Sequence, residues 1–414
     1  MKRLLQINPV LRRSTSTGRI MQEIGDQAMA HGWESYVAYS KGRDGIMPCT
    51  SRIVPVGNGI SVAWHGAVTR LTDRHGLVSA GATREFIRKI EEIGPDIIHI
   101  HNIHGYFLNY KELFSYLSQS GIPVIWTVHD CWLYTGHCYY YTAAGCGKWR
   151  TGCGHCPQIG EFPRSFLLDR SRRNWQDKKA AFTSMPRDRF IIVPVSEWMK
   201  GEMEESFLKG YRMKVIHNGI DTSVFAPCDS AQVRQMYGLG DRHVILGVAS
   251  IWSREKGLQD FIGMSRHLKK NEVIVLVGLS KAQKAGLPKG IVGITRTDNV
   301  QDLAALYSAA DVFVNPTRQD NYPTVNLEAI SCGTPVVTYR TGGSPESLTP
   351  ETGVVVDAGD IEGTMEAVRM IESRGKDACR DVCRRWASEH FRKEDRYRDY
   401  IDLYESLLSN KQDR

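Results

Sequence analysis

PTRQDNYPTVNLEAISCGTPVV, residues 316–337, reads as a strand end, a loop, a helix and the start of the next strand in close succession. The helix is predicted from about residue 324, Gly333 closes it, and PVVTYR at 335–340 opens a new strand. Asp320 and Glu328 are eight positions apart, so Asp320 falls in the loop before the helix and Glu328 one turn inside it. Both can address one ligand at the helix N-terminus, where unpaired amides and the positive end of the dipole suit an anion, most simply a phosphate. Taken alone, the same pair also reads as an acidic cap with an unrelated surface glutamate.

Outward from this stretch, short β-branched runs alternate with amphipathic segments, the pattern of a parallel sheet covered by helices on both faces. LLQIN at 4–8, IIHIH at 97–101, VIWTVH at 124–129, FIIVPVS at 190–196, VILGVAS at 244–250, EVIVLVG at 272–278, DVFVNP at 311–316 and PVVTYR read as strands. Ligands of open α/β sheets sit beyond the carboxyl ends of the strands, which draws attention to His99, His101, His129, Ser196, Ser250 and Pro316. SREKG at 253–257 follows one such strand, so Arg254 and Lys256 project from its end, Arg as a planar fork for phosphate and Lys as a point charge. GITRTDNVQDLAALYSAADVFV at 293–314 supplies a third strand-end loop, carrying Arg296. The three loops are expected to converge on one site.

A chain of 414 residues with 42% hydrophobic and 24% charged content is ordinary globular material. It exceeds the size at which a single core keeps growing, so two domains are expected. Pro and small polar residues near VFAPCDSAQ at 224–232 place the hinge, giving residues 1–224, 225–390 and a C-terminal segment 391–414. No apolar run reaches the roughly 18 residues that cross a bilayer, and MKRLLQINPV is too short and polar for a secretory h-region, so a mature soluble chain is expected. Residues 1–224 hold 28 Lys and Arg against 20 Asp and Glu, whereas the rest holds 25 against 26. The excess suggests a negatively charged partner for the first half, phosphate groups or an anionic membrane surface; a solvated basic face explains it as well.

These motifs together resemble the retaining nucleotide-sugar glycosyltransferases of the GT-B type, group 1, in which two Rossmann-like domains face a central cleft and a C-terminal helix returns to the N-terminal domain. VIHNGIDTSVF at 215–225 is similar to the family's interdomain segment, EKGL at 255–258 to its lysine motif, and Asp320 to Glu328 to its E-x7-E motif with Asp for the first Glu. TSTGRIM at 15–21, IIHIHNIHGYFLN at 97–109 and TVHDCWLYTGHC at 127–138 resemble the colanic-acid and capsular polysaccharide subgroup more closely still. The resemblance implies a nucleoside-diphospho-sugar donor and a hydroxyl acceptor on a glycan or lipid-linked sugar. It implies that Glu328 binds the ribose, that Arg254 and Lys256 hold the diphosphate, and that Asp320 with the amides near Asn321, Tyr322 and Thr324 meets the sugar and β-phosphate. Arg296 joins the donor set. The family's Gly-Arg pair is Ser250-Ile251 here, and its loop glycine is Pro323, which lacks an N–H.

In the first half, Gly18 is expected between the first strand and a helix, in the donor-binding set, with Thr17 beside it on the acceptor side, allowing close approach of substrate to the backbone; a simple tight turn is the alternative. His129 occupies the HD position that the family uses beside the reacting sugar, and Asn102 and His104 are expected to face the acceptor. Catalysis is assigned to His129, Lys256 and Asp320. The basic groups and helix-end amides would neutralise the leaving diphosphate. No D-x-D occurs, so a divalent bridge is not required and no catalytic cofactor is expected. An epimerase or phosphorylase on the same fold would keep much of this phosphate site. A non-enzymatic carbohydrate- or nucleic-acid-binding module is disfavoured, because Asp320 and Glu328 would repel a phosphate backbone and no aromatic–basic array is evident.

FPRSFLLDRSRRNWQDKKAAF at 162–182 interleaves Phe166, Leu167 and Trp175 with Arg164, Arg170, Arg172, Arg173, Lys178 and Lys179. That composition suggests peripheral attachment to the inner face of a bacterial cytoplasmic membrane, with a core-packed helix as the rival explanation. Cys138, Cys146, Cys153 and Cys156 form C-x7-C-x6-C-x2-C within one loop. In a reducing compartment a structural zinc is the expected use of such thiols, with His137 or His155 as a substitute ligand and ordinary buried or redox-active cysteines as the alternative.

Overall fold

EVIVLV at 272–277 and FIIVP at 190–194 are buried along their whole length, as strands must be when helices cover both faces. The structure, a computed structural model, describes residues 1–11, 15–40 and 49–412. The chain divides into two units, Met1–His217 with Arg396–Arg414, and Asn218–Asp395.

The first unit contains β1 (Lys2–Ile7), β2 (Trp33–Ser40), β3 (Arg52–Val56), β4 (Ile97–Ile100), β5 (Val124–Val128), β6 (Phe190–Pro194) and β7 (Arg212–Met213). They pair in the order 3-2-1-4-5-6-7, all parallel. The second contains β8 (His243–Val248), β9 (Glu272–Val277), β10 (Ile291–Ile294), β11 (Val312–Asn315), β12 (Val336–Tyr339) and β13 (Gly353–Val356). Their order is 10-9-8-11-12-13, again all parallel. Each sheet is Rossmann-like. The order of strand succession reverses between β1 and β4 in one unit and between β8 and β11 in the other, and beyond the carboxyl ends of such a pair a crevice opens.

All eight strands named from the sequence form. The pattern leaves β2, β3, β7, β10 and β13 unread: β7 has two residues, and β3 is interrupted by Pro55. The division between units falls at 217/218 rather than 224/225, for a hydrogen-bonding reason. Ile220 N donates to Phe391 O at 2.8 Å, Lys393 N donates to Ile220 O at 3.0 Å, and Lys393 is ion-paired with Asp221. These bonds hold the NGID segment in the second unit and move the other crossing point from 390/391 to 395/396.

The helix Lys393–Gln412 therefore belongs to the first unit from Arg396 onward; residues 413 and 414 lie outside the described residues. Tyr397, Tyr400, Ile401, Tyr404 and Leu407 are buried in one core cluster with Leu4, Ile24, Ile97, Ile125 and Ile191. His99, inside β4, is bonded through both ring nitrogens, at 2.7 Å to the Tyr404 hydroxyl and 2.8 Å to Thr127 Oγ1. Thr127 in turn donates to the Tyr400 hydroxyl at 3.0 Å. Thr127 thus accepts from Nε2–H of His99, and Nδ1 accepts from Tyr404. His99, one of the strand-end residues noted in the sequence, is a structural residue.

Tyr404→Phe should cost about 1–2 kcal/mol by leaving Nδ1 of His99 without its donor, and Tyr404→Ala about 3–5 kcal/mol by opening a cavity as well. Chemical denaturation of the full chain measures both; equal, negligible losses would show that this helix is not part of the first unit's core.

Candidate active site

In the second unit, the turn after β8 and the loop after β11 are locked together. Arg318 N donates to Glu255 O at 2.7 Å, and the Arg318 guanidinium grips the Asp260 carboxylate through two nitrogens. Gly257 has φ +78, and a Cβ there would stand 2.5 Å from Pro316 O. Only glycine lets the two backbones approach that closely. Across the contact, Lys256 Nζ lies 2.8 Å from Asp320 Oδ2, while Asp320 Oδ1 accepts from Asn321 N at 3.0 Å.

The helix behind this loop runs Thr324–Ser331 with Pro323 at its N-cap and no side chain capping its amides. Gly333 N donates to Ile330 O and Thr334 N to Ala329 O, closing it as predicted. Glu328 is buried and accepts from the Tyr307 hydroxyl at 3.1 Å. Tyr322 is buried, and its carbonyl accepts from Asn218 Nδ2 at 3.3 Å. The cationic Lys256, the capless helix end and a buried carboxylate are thus placed about one switch point.

The third loop is a different one from that expected. Gly342, φ +53, sits where a Cβ would lie 1.8 Å from Asp320 O, so the turn after β12 packs directly on the Asp320 loop. Arg296 follows β10, the edge strand two positions from β8, and is exposed with no ion pair to a described residue. Arg254 is exposed in the turn that carries Lys256. Sequence reasoning missed Arg318, Asp260 and Gly342; the Thr341-Gly342-Gly343 triplet after a strand was the available signal for the last.

In the first unit, His129 follows β5 and hydrogen-bonds through Nε2 to His101 Nδ1 at 3.1 Å. His101 Nε2 is 3.0 Å from Gln6 Oε1, and Gln6 Nε2 donates to Met21 O at 2.9 Å. Because that Gln oxygen only accepts, His101 carries its proton on Nε2, so His129 must donate from Nε2. Burial pushes the His129 imidazole down to about 4; Asp130 opposes this and His104 adds to it. The ring is therefore a neutral, oriented group at neutral pH. Burial raises the Asp130 carboxyl, but the His104 ring, 2.7 Å away at Nε2, and the Trp132 amide bring it below the usual range. Asp130 was visible in the sequence as half of the HD pair without a role; it is what fixes His104. Asn102 is buried in the same loop.

Gly18 departs from expectation. The helix starts at Ser16, so Gly18 lies inside its first turn, and its amide donates to Thr15 Oγ1 at 3.3 Å. Thr17 is half-buried next to it. Ser196 caps the helix Glu197–Glu204 by accepting from Met199 N at 3.1 Å, a structural role. His75, which the sequence did not single out, is buried among His65, His104, Tyr106, Trp132 and Tyr139 with neither ring nitrogen hydrogen-bonded. Cys138, Cys146, Cys153 and Cys156 line a common small cavity with His137. Among the described residues, no group of three His, Cys, Asp or Glu side chains stands ready to hold an ion.

Two parallel Rossmann-like sheets, each with polar loops at its switch point, define a glycosyltransferase of GT-B architecture. Residues 17–224 match Glycosyltransferase Family 4 and residues 242–373 match Glycosyl transferases group 1. The chain belongs to Glycosyltransferase Family 4. It is 25% identical over 376 residues to the colanic acid biosynthesis glycosyl transferase WcaC of Escherichia coli, covering 86% of this chain and 88% of that protein. Over 242 residues it is 30% identical to the GDP-mannose-dependent alpha-(1-6)-phosphatidylinositol monomannoside mannosyltransferase of Mycolicibacterium smegmatis, covering 52% of this chain and 63% of that one. Sucrose-phosphate synthase from Thermosynechococcus elongatus superposes with a TM-score of 0.72 at 16% identity, over 99% of this chain and 100% of that chain. Anabaena HepE, solved with UDP-glucose, gives 0.67 at 15% identity, over 98% and 100%.

The lowered pKa of His129 fixes a pH dependence. Between its unfolded value near 6.5 and about 4, the unfolded chain takes a proton that the folded chain refuses, so stability is full above that window and falls as pH drops through it. His104 resists the same proton, while Asp130 draws it in. The melting temperature should fall from pH 6.5 to 4, and His129→Asn should flatten part of that slope. An unchanged slope would mean that His129 titrates normally.

Proposed function

We propose that this enzyme transfers a sugar, with retention at the anomeric carbon, from a nucleoside-diphospho-sugar to a hydroxyl on a glycan or lipid-linked acceptor in cell-surface polysaccharide assembly. The observation that carries this reading is the Lys256–Asp320 pair set beside the uncapped helix Thr324–Ser331, with Glu328 buried behind it. A diphosphate arriving there would compete with Asp320 for the ammonium and take up the amides of Thr324 and Val325. Asp320, released from Lys256, is then free to accept from sugar hydroxyls. Glu328, oriented by Tyr307, suits the vicinal hydroxyls of a ribose. As the glycosidic bond breaks, negative charge grows on the leaving diphosphate, and Lys256 stabilises it there. Arg254, and Arg296 if its loop closes on the donor, would add to that stabilisation. In the first unit, neutral His129 is held by His101 as a hydrogen-bonding group for the transferred sugar, Asn102, His104 and Thr17 are assigned to the acceptor side, and Gly18 to the donor set. The UDP-glucose bound by HepE and the colanic acid role of WcaC support the donor class and the pathway type.

The acceptor is proposed to be reached at an anionic membrane surface. Among the described residues no helix is long and apolar enough to cross a membrane. The helix Gly59–Thr72 instead turns Ile60, Ala63, Trp64, Ala67 and Leu71 to solvent along one stripe and buries Val62, His65, Gly66 and Thr69 on the other. Phe166 N donates to Arg70 O at 2.7 Å, which brings exposed Phe166, Leu167 and Leu168 alongside. Arg74, Arg170, Arg172 and Arg173 line an adjoining groove of about 600 Å³. Apolar side chains flanked by arginines match an interface of acyl chains and anionic headgroups. Trp175 and Lys178, counted toward this face from sequence, do not belong to it: Trp175 Nε1 donates to Trp149 O, and Lys178 is buried under Trp132.

Lys256→Ala should lower turnover by about 10²–10³ and weaken nucleotide binding. Glu328→Gln, which keeps the bond to Tyr307, should weaken nucleotide binding with little change in melting temperature. Unchanged nucleotide affinity in both variants, measured by calorimetry, would refute the donor site. Trp64→Ser should reduce sedimentation with anionic vesicles by about tenfold, the loss of one interfacial aromatic; absence of wild-type binding at low salt would remove the membrane claim.

A further inference from the structure

The loop Thr135–Gln158 has no described part in sugar transfer, yet it concentrates thiols. Cys138, Cys146, Cys153 and Cys156, with His137, line one cavity of about 10 Å³, room for a single small ion. All four are free cysteines. Cys138 and Cys156 lie within thiol hydrogen-bonding reach of each other, and Gly136 N donates to Cys153 Sγ at 3.2 Å, the kind of N–H···S bond that suits a thiolate.

Two neighbouring features want a partner that the protein alone does not give them. His137 is buried and lines the cavity; its Nδ1 lies 2.7 Å from Asp73 Oδ1, while Nε2 has no hydrogen-bond partner. A histidine fixed by a carboxylate on one nitrogen and aimed with the other is the arrangement found around metal centres. Lys178 is buried too, with Nζ donating to Trp132 O at 2.6 Å and Thr135 O at 2.9 Å and no ion pair among the described residues. A buried amine that also meets the Trp132 ring gains from anionic sulfur nearby.

We infer that this cavity is a structural zinc site in which Cys138, Cys146, Cys153 and Cys156 supply four thiolates. His137, its Nδ1 held by Asp73, stands beside the thiolate cage as a positioning residue, and Lys178 lies close enough to balance part of the cage's net negative charge. The thiols are not yet in ligating positions, so binding draws the sulfurs inward by rotation about their Cα–Cβ bonds as each gives up its proton. C-x2-C at 153–156 provides the knuckle, and four sulfur ligands leave no open position for catalysis. The ion would pin the loop that follows His129 and Asp130.

The test uses full-length protein purified under reducing conditions without chelator. Elemental analysis should find one zinc per chain, and Co2+ exchanged into the site should give the intense visible bands of a tetrahedral thiolate complex. Cys153→Ser and Cys156→Ser should lose the metal, Cys49→Ser and Cys228→Ser should keep it, and His137→Gln should keep the stoichiometry with affinity reduced about 10–100-fold. Zinc well below one per chain, together with no Zn2+ or Co2+ uptake by the folded wild-type chain, would overturn the site. Retention of the metal by both Cys153→Ser and Cys156→Ser would overturn it equally. None of these readouts depends on sugar transfer, so failure here leaves the donor-site reading standing, and the reverse holds.

Discussion

A parallel strand must be followed by a crossover that returns to the starting edge, and this constraint governs both units. It buries each strand on two faces, which is why EVIVLV and FIIVP are unbroken apolar runs, and it leaves functional loops only at the ends of the sheet. Where the order reverses, at β8/β11, two neighbouring loops leave in opposite directions and expose their backbone amides to the same space. The Lys256–Asp320 contact exists because Gly257 and Gly342 allow three backbones to meet at that point and because Arg318 clamps one loop to the other through Asp260.

The first unit solves a different problem. Its strand ends carry histidines that burial keeps neutral, and hydrogen bonds fix their rings. Tyr404 and Thr127 hold His99, whereas Gln6 and His101 set the orientation of His129. The same tyrosines anchor the C-terminal helix, so the chain's last segment and the histidine array stabilise each other. A change at Tyr400 or Tyr404 would reach β5, and with it the residue that follows β5.

The cysteine loop and the apolar stripe on Gly59–Thr72 lie outside the donor chemistry but in the same unit as His129. One follows the HD pair in sequence; the other turns Ile60, Trp64 and Leu71 to solvent. Both depend on side chains that sequence patterns describe incompletely, since Trp64 and Trp175 are the same residue type with opposite fates.

What the sequence determined by itself was local and periodic: eight parallel strands of the two sheets, the helix from Thr324 closed at Gly333, Lys256, Asp320 and His129 in strand-end loops, and Glu328 within that helix. These follow from hydrophobic period, caps and short spacing, which act within a few residues. The tertiary structure decided what depends on distant partners. It placed the unit boundary at 217/218 through the bonds of Ile220 to residues 391–393, brought the Gly342 turn rather than the Arg296 loop onto Asp320, and closed Thr15 onto the Gly18 amide. It also made a core histidine of His99 and an exposed tryptophan of Trp64. Each of these outcomes turns on which surface a residue meets once the chain has closed on itself, and neither composition nor periodicity encodes that meeting.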